Sequence, residues 1–282
     1  MPIPTSCRSL ERRTMSDLPD PDELLAIALT IARAAGDLLA RGREGTVAAE
    51  TTKSSPTDVV TALDRASEAL VARRLAELRP GDGLLGEEGS DSAGTTGVRW
   101  IVDPLDGTVN FLYRLPNWAV SIAAEVDGEV VAGVVHAPAL GATYTATRGG
   151  GSYRDGEPLT GSTVTTLAGA LVATGFGYTA SRRAAQAAVA SRVVPRVRDL
   201  RRMGAASLDL CAAAGGLVDA YYERGLKPWD QAAGGLVAVE AGLRVGGLHG
   251  RPAGEDLTVA APPALFPALT ALLAEDPPAD RD

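Results

Sequence analysis

The chain has 282 residues, with 45% hydrophobic and 22% charged side chains, the composition of a folded globular protein rather than a disordered one. Its net charge of −8 at pH 7 disfavours nonspecific binding to nucleic acid or an anionic membrane, and no apolar stretch approaches the roughly 20 residues of a bilayer span. Cys7 and Cys211 make no disulfide framework and have no metal ligand at short spacing, so a cytoplasmic setting is expected, with Cys211 a small buried apolar residue.

Residues 1–20 mix Pro, Ser, Arg and Asp without periodicity and lack the apolar run of a secretory signal; they read as a mobile tail, with Met15 a candidate start. Leu24, Leu25, Ala28, Ile31, Ala32, Ala35, Leu38 and Leu39 predict a helix ending near Gly42. A second helix is expected from about Thr57 to Leu78, where Pro80-Gly81 stops it. Short buried strands follow at Leu84-Leu85 and Trp100–Val102. Val120–Val126 and Glu129–His136 flank Asp127-Gly128, a strong hairpin signal, and further strand-turn units lie at Ala142–Thr147 and around Asp155-Gly156, so this sheet is expected to be largely antiparallel.

The second half alternates. Strands are expected at Ala170–Gly175, Asp219–Glu223 and Leu257–Ala260, and helices at Ser181–Arg192, Ala205–Ala214, Gln231–Ala241 and Pro263–Ala274. Gly, Ser and Thr cluster at Leu159–Thr165. That divides an N-terminal α+β lobe, 21–162, from a C-terminal α/β lobe, 163–275, with 276–282 a frayed end.

Three segments place acids directly after apolar strand residues: Glu87-Glu88, Asp103-Pro104-Leu105-Asp106-Gly107-Thr108, and Trp229-Asp230. Unpaired buried carboxylates are costly, and a hard cation with oxygen ligands is the usual remedy. Pro104 favours a tight turn that brings Asp103 and Asp106 together, with the Leu105 carbonyl as a further ligand. Gly107 permits close backbone approach, and Thr108 starts a short helix whose free N–H groups face an anion.

With these residues in view, the chain resembles the inositol monophosphatase family, the lithium-sensitive sugar phosphatases. Trp100–Phe111 matches the family's first signature and Trp229–Gly234 its second. Lys53–Thr61 with Asp64 resembles its early motif, and the Arg201–Trp229 region is similar to actinobacterial members. The resemblance implies a five-layered α-β-α-β-α sandwich and two to three Mg²⁺ per site. Glu87, Asp103 and the Leu105 carbonyl would hold the first ion. Asp103, Asp106 and Asp230 would hold the second, and Asp64 with Glu87 the third. Phosphate would lie on the Gly107 and Thr108 amides. The attacking water would lose its proton towards Glu87 or a Thr108–Asp64 pair, while Asp106, Glu223 and the Ala206 amide grip substrate hydroxyls. The implied reaction is hydrolysis of myo-inositol monophosphate by a cytoplasmic homodimer that binds neither nucleic acid nor membrane.

Relatives acting on fructose 1,6-bisphosphate, histidinol phosphate or 3′-phosphoadenosine phosphate share the metal motif and stay open as alternatives. So does a non-catalytic partner-binding regulator using the same fold. The feature that reading needs is the basic run of Arg182, Arg183, Arg192, Arg196, Arg198, Arg201 and Arg202, which otherwise reads as a solvated helix or subunit contact. His136 and His249 are far apart and read as surface or structural residues; Gly149–Gly151 and Gly175-Phe176-Gly177 read as turns. Lys53 either neutralises a carboxylate near the third ion or is exposed and uninvolved.

Overall fold

In the computed structural model, residues 19–44, 51–52 and 59–274 are described. Expectations for residues 1–18, Lys53 and 276–282 lie outside them. Helix α1 (Pro21–Arg43) begins where Asp20 accepts the Asp22 N–H at 3.0 Å, with Pro21 in the first turn. Leu24, Ala28, Ile31, Ala32, Ala35 and Leu39 form its buried stripe.

Strands β1 (Thr51–Thr52) and β2 (Val59–Val60) pair antiparallel ahead of α2 (Ala62–Leu78). The helix therefore starts at Ala62 and not near Thr57. Val59 and Val60 are β-branched and take the ladder, while Thr61 caps the helix: its hydroxyl accepts the Leu63 N–H at 3.1 Å, and Asp64 returns a bond to the Thr61 N–H at 2.9 Å.

The first sheet contains β3 (Gly83–Gly86), β4 (Asp91–Ser92), β5 (Val98–Asp106), β6 (Ala119–Val126), β7 (Glu129–Ala137), β8 (Ala142–Thr147), β9 (Gly151–Arg154) and β10 (Glu157–Pro158). Its order is β10-β9-β8-β7-β6-β5-β3-β4, antiparallel except between β3 and β5. The β6–β7 turn has positive φ at both central residues, 51° at Asp127 and 86° at Gly128, as the Asp-Gly pair predicts. A five-residue helix, α3 (Thr108–Leu112), leaves β5.

The second sheet has β11 (Leu171–Thr174), β12 (Asp199–Arg201), β13 (Ala220–Glu223), β14 (Arg244–Gly246) and β15 (Thr258–Ala261), in the order β12-β11-β13-β15-β14. The sequence does not announce β12 or β14, which are three residues each and begin or end in arginine. Helices α4 (Ala180–Val193), α5 (Ala206–Ala214), α6 (Pro228–Glu240) and α7 (Phe266–Ala274) complete the chain.

The layers are α1/α2, the first sheet, α5/α6, the second sheet, and α4/α7, which is the expected five-layered sandwich. The middle helices share one apolar cluster with both sheets, joining Ile101 and Ala123 to Leu210, Tyr221, Val237 and Ala260. Small residues set the spacing there. A Cβ on Gly234 of α6 would lie 2.8 Å from the Ser207 carbonyl of α5, so the two helices touch backbone to backbone. Their N-terminal ends carry Ala206, Ser207 and Asp230 into one place.

Candidate active site

Strand β5 does not end at Asp103 and give way to a loop, as the sequence implies. It runs on to Asp106 through a bulge, with Asp103 opposite Ser121 and Asp106 opposite Ala119. Pro104 has no N–H to give the ladder, which is why the irregularity falls there. Ser67 of α2 donates to the Pro104 carbonyl at 2.9 Å, and the Leu105 N–H donates to Asp103 Oδ1 at 3.0 Å. Asp103 and Asp106 thus flank a pinned bulge, both buried. Gly107 then takes φ 86°, and a Cβ there would lie 2.7 Å from the Asn117 carbonyl, so glycine is required to start α3.

Glu87 sits just past β3 in a loop held from below by Glu68 of α2, whose carboxylate accepts the Glu88 and Ser90 N–H groups at 2.7 and 2.9 Å. Asp230, in the first turn of α6, accepts the Lys227 N–H at 2.6 Å. Asp64 is buried at the start of α2 and accepts from the Thr61 hydroxyl at 2.5 Å through Oδ2 and from the Thr108 hydroxyl at 3.0 Å through Oδ1. The Leu105 carbonyl lies 3.1 Å from that same Thr108 hydroxyl.

Electrostatics tie these groups together. Burial lifts the Asp103 carboxyl well above its ordinary range, and the charges of Glu87, Asp106 and Asp230 lift it further; Asp103 and Glu87 also share a hydrogen bond. Asp230 is raised by burial and then by Glu87 and Asp106. Asp106 is raised by burial against the opposing pull of its donors, the Ser207 hydroxyl at 2.5 Å and the Ser207 and Ala206 N–H groups at 2.8 and 3.2 Å. A cation among these acids would relieve the mutual repulsion that raises them.

Asp106, Ala206, Glu223 and Asp230 line one cleft of about 140 Å³. Burial pushes Glu223 up to about 7, opposed by the Tyr221 hydroxyl, which donates to its Oε2 at 2.6 Å, and by Arg202. A larger cleft of about 330 Å³, between Tyr144, Arg154 and Leu217, contains none of these carboxylates.

The comparisons with known proteins decide the family. Residues 20–276 match the sequence profile described as the inositol monophosphatase family. The chain belongs to that family. It is 44% identical over 278 residues to inositol-1-monophosphatase of Mycobacterium leprae, covering 90% of this chain and 94% of that one. It is 41% identical over 221 residues to the Nus factor SuhB of Escherichia coli, covering 78% of this chain and 83% of that one. The crystal structure of extragenic suppressor protein suhB from Bartonella henselae superposes with a TM-score of 0.84 at 32% identity, over 89% of this chain and 98% of that one.

Inositol monophosphatases are metal-dependent, and the donors here fit a hard cation: they are carboxylates and a carbonyl, with no nitrogen or sulfur. Among the described residues, no group of three or more Asp, Glu, His or Cys is arranged to hold an ion by itself. The fit is therefore to an open site, in which water and substrate oxygens complete each ion's coordination.

Several participants are not evident in the sequence. Ser207 and Glu68 position Asp106 and the Glu87 loop, and both are polar residues on helices whose burial shows only in the fold. The Ala206 N–H, which the family resemblance assigns to substrate, is engaged by Asp106. The basic run is not one helix face: Arg182, Arg183 and Arg192 lie on α4 and Arg201 on β12, while Arg182 and Arg202 line the cleft. Gly149 and Gly151 donate to the carboxylate of Glu240 at 2.9 and 3.1 Å, so that glycine turn serves an internal acid. His136 is half-buried, with Nδ1 3.0 Å from the Thr143 hydroxyl, and His249 occupies a left-handed turn, φ 56°; neither lines the cleft. Cys211 is fully buried on α5. Among the described residues, no helix is long and apolar enough to cross a membrane.

Proposed function

We propose that the protein is a Mg²⁺-dependent phosphomonoesterase that hydrolyses myo-inositol monophosphate to inositol and phosphate. The observation that carries the proposal is the grouping of half-buried Glu87 with buried Asp103 and Asp106 and with Asp230, acids whose charges raise one another and which a divalent ion would stabilise. Glu87, Asp103 and the Leu105 carbonyl would hold one Mg²⁺, Asp103, Asp106 and Asp230 a second, and Asp64 with Glu87 a third. When bound, Mg²⁺ neutralises phosphate charge and lowers the pKa of water.

The chain's own groups then divide the work. The Thr108 hydroxyl donates its hydrogen bond to Asp64, which leaves its oxygen lone pairs free to accept a proton from the attacking water as its own proton passes to Asp64. Glu87 is the other acceptor within the same cluster. The Gly107 and Thr108 amides, at the unpaired start of α3, face the phosphate. Glu223 has Oε2 fixed by Tyr221 and keeps Oε1 for substrate hydroxyls, a role suited to a polyol. Asp106 ties the end of β5 to the first turn of α5. The reading carries with it a cytoplasmic homodimer acting on a small phosphorylated substrate, without nucleic acid or membrane; light scattering would read the dimer.

A turnover panel tests the substrate. Inositol 1-phosphate is expected to exceed fructose 1,6-bisphosphate, histidinol phosphate and 3′-phosphoadenosine phosphate in kcat/KM. A higher value for histidinol phosphate or the nucleotide would reassign the substrate while keeping the phosphatase.

A further inference from the structure

Arg43 takes no part in the phosphate chemistry described so far, yet its side chain is committed to the segment that carries Thr108. It lies in the last turn of α1 and reaches across to α3, 68 residues on. Its Nε donates to the Phe111 carbonyl at 3.2 Å, and Nη2 donates to the Leu115 carbonyl at 2.7 Å. The guanidinium carbon lies 5.3 Å from the centre of the Phe111 ring and 5.7 Å from that of Trp118. Those two buried rings meet edge to face at 5.0 Å. One planar fork thus holds the end of α3, the turn after it and the aromatic pair beneath, which a compact ammonium cannot do.

A helix as short as α3 has too few internal bonds to hold its own direction. Phe111 and Tyr113 donate back to the Gly107 and Val109 carbonyls, and the rest of the support comes from outside. Asn110 donates to the carbonyls of Asn117 and Met203 at 2.7 and 2.8 Å, and Arg43 holds the carbonyls of Phe111 and Leu115. The same turn of α1 also reaches the other side of the Thr108–Asp64 bond. A Cβ on Gly42 would lie 2.5 Å from the side chain of Leu63, so α1 packs against the residue that precedes Asp64. The end of α1 therefore sits against the segments of both partners, α2 through Gly42 and α3 through Arg43.

We propose that Arg43 is a positioning residue for the reaction: it clamps the end of α3 so that the Thr108 hydroxyl stays on Asp64, and it acts on turnover through Thr108. The inference rests on the phosphatase reading and deepens it, because it extends the Thr108–Asp64 pair to α1.

The test is a cycle of Arg43→Gln, Thr108→Val and the double variant, assayed on myo-inositol 1-phosphate at saturating Mg²⁺. R43Q is expected to lower kcat and kcat/KM together, on the order of 10- to 100-fold, the scale of a small misplacement of a reacting group. Adding R43Q to T108V is expected to lower kcat no further, because the hydroxyl through which Arg43 acts is gone. R43K keeps the charge without the fork and should leave most of the loss in place. An unchanged kcat in R43Q, a change confined to KM, the same fold loss in both backgrounds, or full recovery by R43K overturns the assignment. If the wild type releases no phosphate, the phosphatase reading fails; if T108V alone releases none, the kinetic cycle cannot be closed. In either case urea midpoints of the same four proteins decide the clamp. A loss in the double variant smaller than the sum of the two single losses keeps it, and additive losses remove it.

Discussion

The hydroxyl of Thr108 donates to Asp64 Oδ1 at 3.0 Å, joining the first turn of α3 to the first turn of α2 across 44 residues of sequence. The other oxygen of Asp64 is already taken by Thr61. The bond therefore fixes the direction of the Thr108 lone pairs, and a variant that keeps the shape but loses the hydroxyl isolates its role. Thr108→Val is expected to lower kcat about 10²-fold or more, the range for a lost proton acceptor. It should cost only about 1–3 kcal/mol of stability for the unpaired Asp64 oxygen. Rate and urea midpoint measured on the same preparation check this; a fall in midpoint without a fall in kcat would make the pair purely structural.

Asp103→Asn separates stability from function. Asp103 is the buried acid that Glu87, Asp106 and Asp230 all push towards protonation. A neutral amide relieves that repulsion, so the metal-free variant is expected to be at least as stable as wild type at pH 8. The same change removes the charge a cation needs, and turnover should fall by about 10³-fold or more, since a Lewis-acid metal supplies several kcal/mol. Thermal unfolding with EDTA and with Mg²⁺ reads both effects. Wild-type-like stabilisation by Mg²⁺ in D103N would remove Asp103 from the ligand set.

Stability should depend on pH with a definite sign. Glu223 is raised from 4.5 to about 7, and Asp103 and Asp230 are raised as well. The folded, metal-free chain then binds protons more tightly than the unfolded chain. The associated stability is fully present below pH about 4 and is lost as pH rises through about 7. Mg²⁺ displaces the protons of Asp103 and Asp230, so its stabilising effect should be greater at high pH than at low pH. Urea midpoints at pH 5 and pH 8, with and without Mg²⁺, check the sign; a Mg²⁺ effect larger at pH 5 would contradict it.

Glu223→Gln is expected to weaken use of inositol 1-phosphate about tenfold more than use of an aryl phosphate, which has no hydroxyls for Oε1 to hold. Tyr221→Phe should move the same ratio in the same direction by a smaller factor, because it frees Oε2 rather than removing the charge. Equal losses on both substrates would place Glu223 in support of the metal ligands.

Lithium is expected to inhibit at high Mg²⁺, in an uncompetitive or mixed pattern against substrate. Asp103, Asp106 and Asp230 offer only hard oxygen, which accepts another small cation of lower charge. Initial rates over a range of LiCl, with NaCl and KCl controls, decide it. Li⁺ acting no more strongly than Na⁺ would exclude an exchangeable second site.

The acids were legible in the sequence because burial of charge after apolar strand residues is rare without a cation, and the glycine after Asp106 marks the turn it makes. The strand–bulge character of Asp103–Asp106 was not, since a proline between two acids reads locally as a turn and only the pairing with β6 shows the ladder resuming. The start of α2 differs from the sequence expectation for a similar reason. Val59 and Val60 continue a helical pattern, but their partners in β1 lie upstream. Ser207 and Glu68 carry no local signal at all, because their partners are about 100 and 20 residues away. The arginines of the cleft were visible only as a charge run, and the fold divides that run between the surface and the site.

The most direct test of the account is phosphate release from myo-inositol 1-phosphate by the wild-type protein, followed as EDTA-treated enzyme is titrated with Mg²⁺ and repeated with Asp103→Asn. The account predicts no release without metal, a saturable rise with Mg²⁺ in the wild type, and no rise in the variant. Release that persists in EDTA, or a variant that matches the wild type at saturating Mg²⁺, would contradict it.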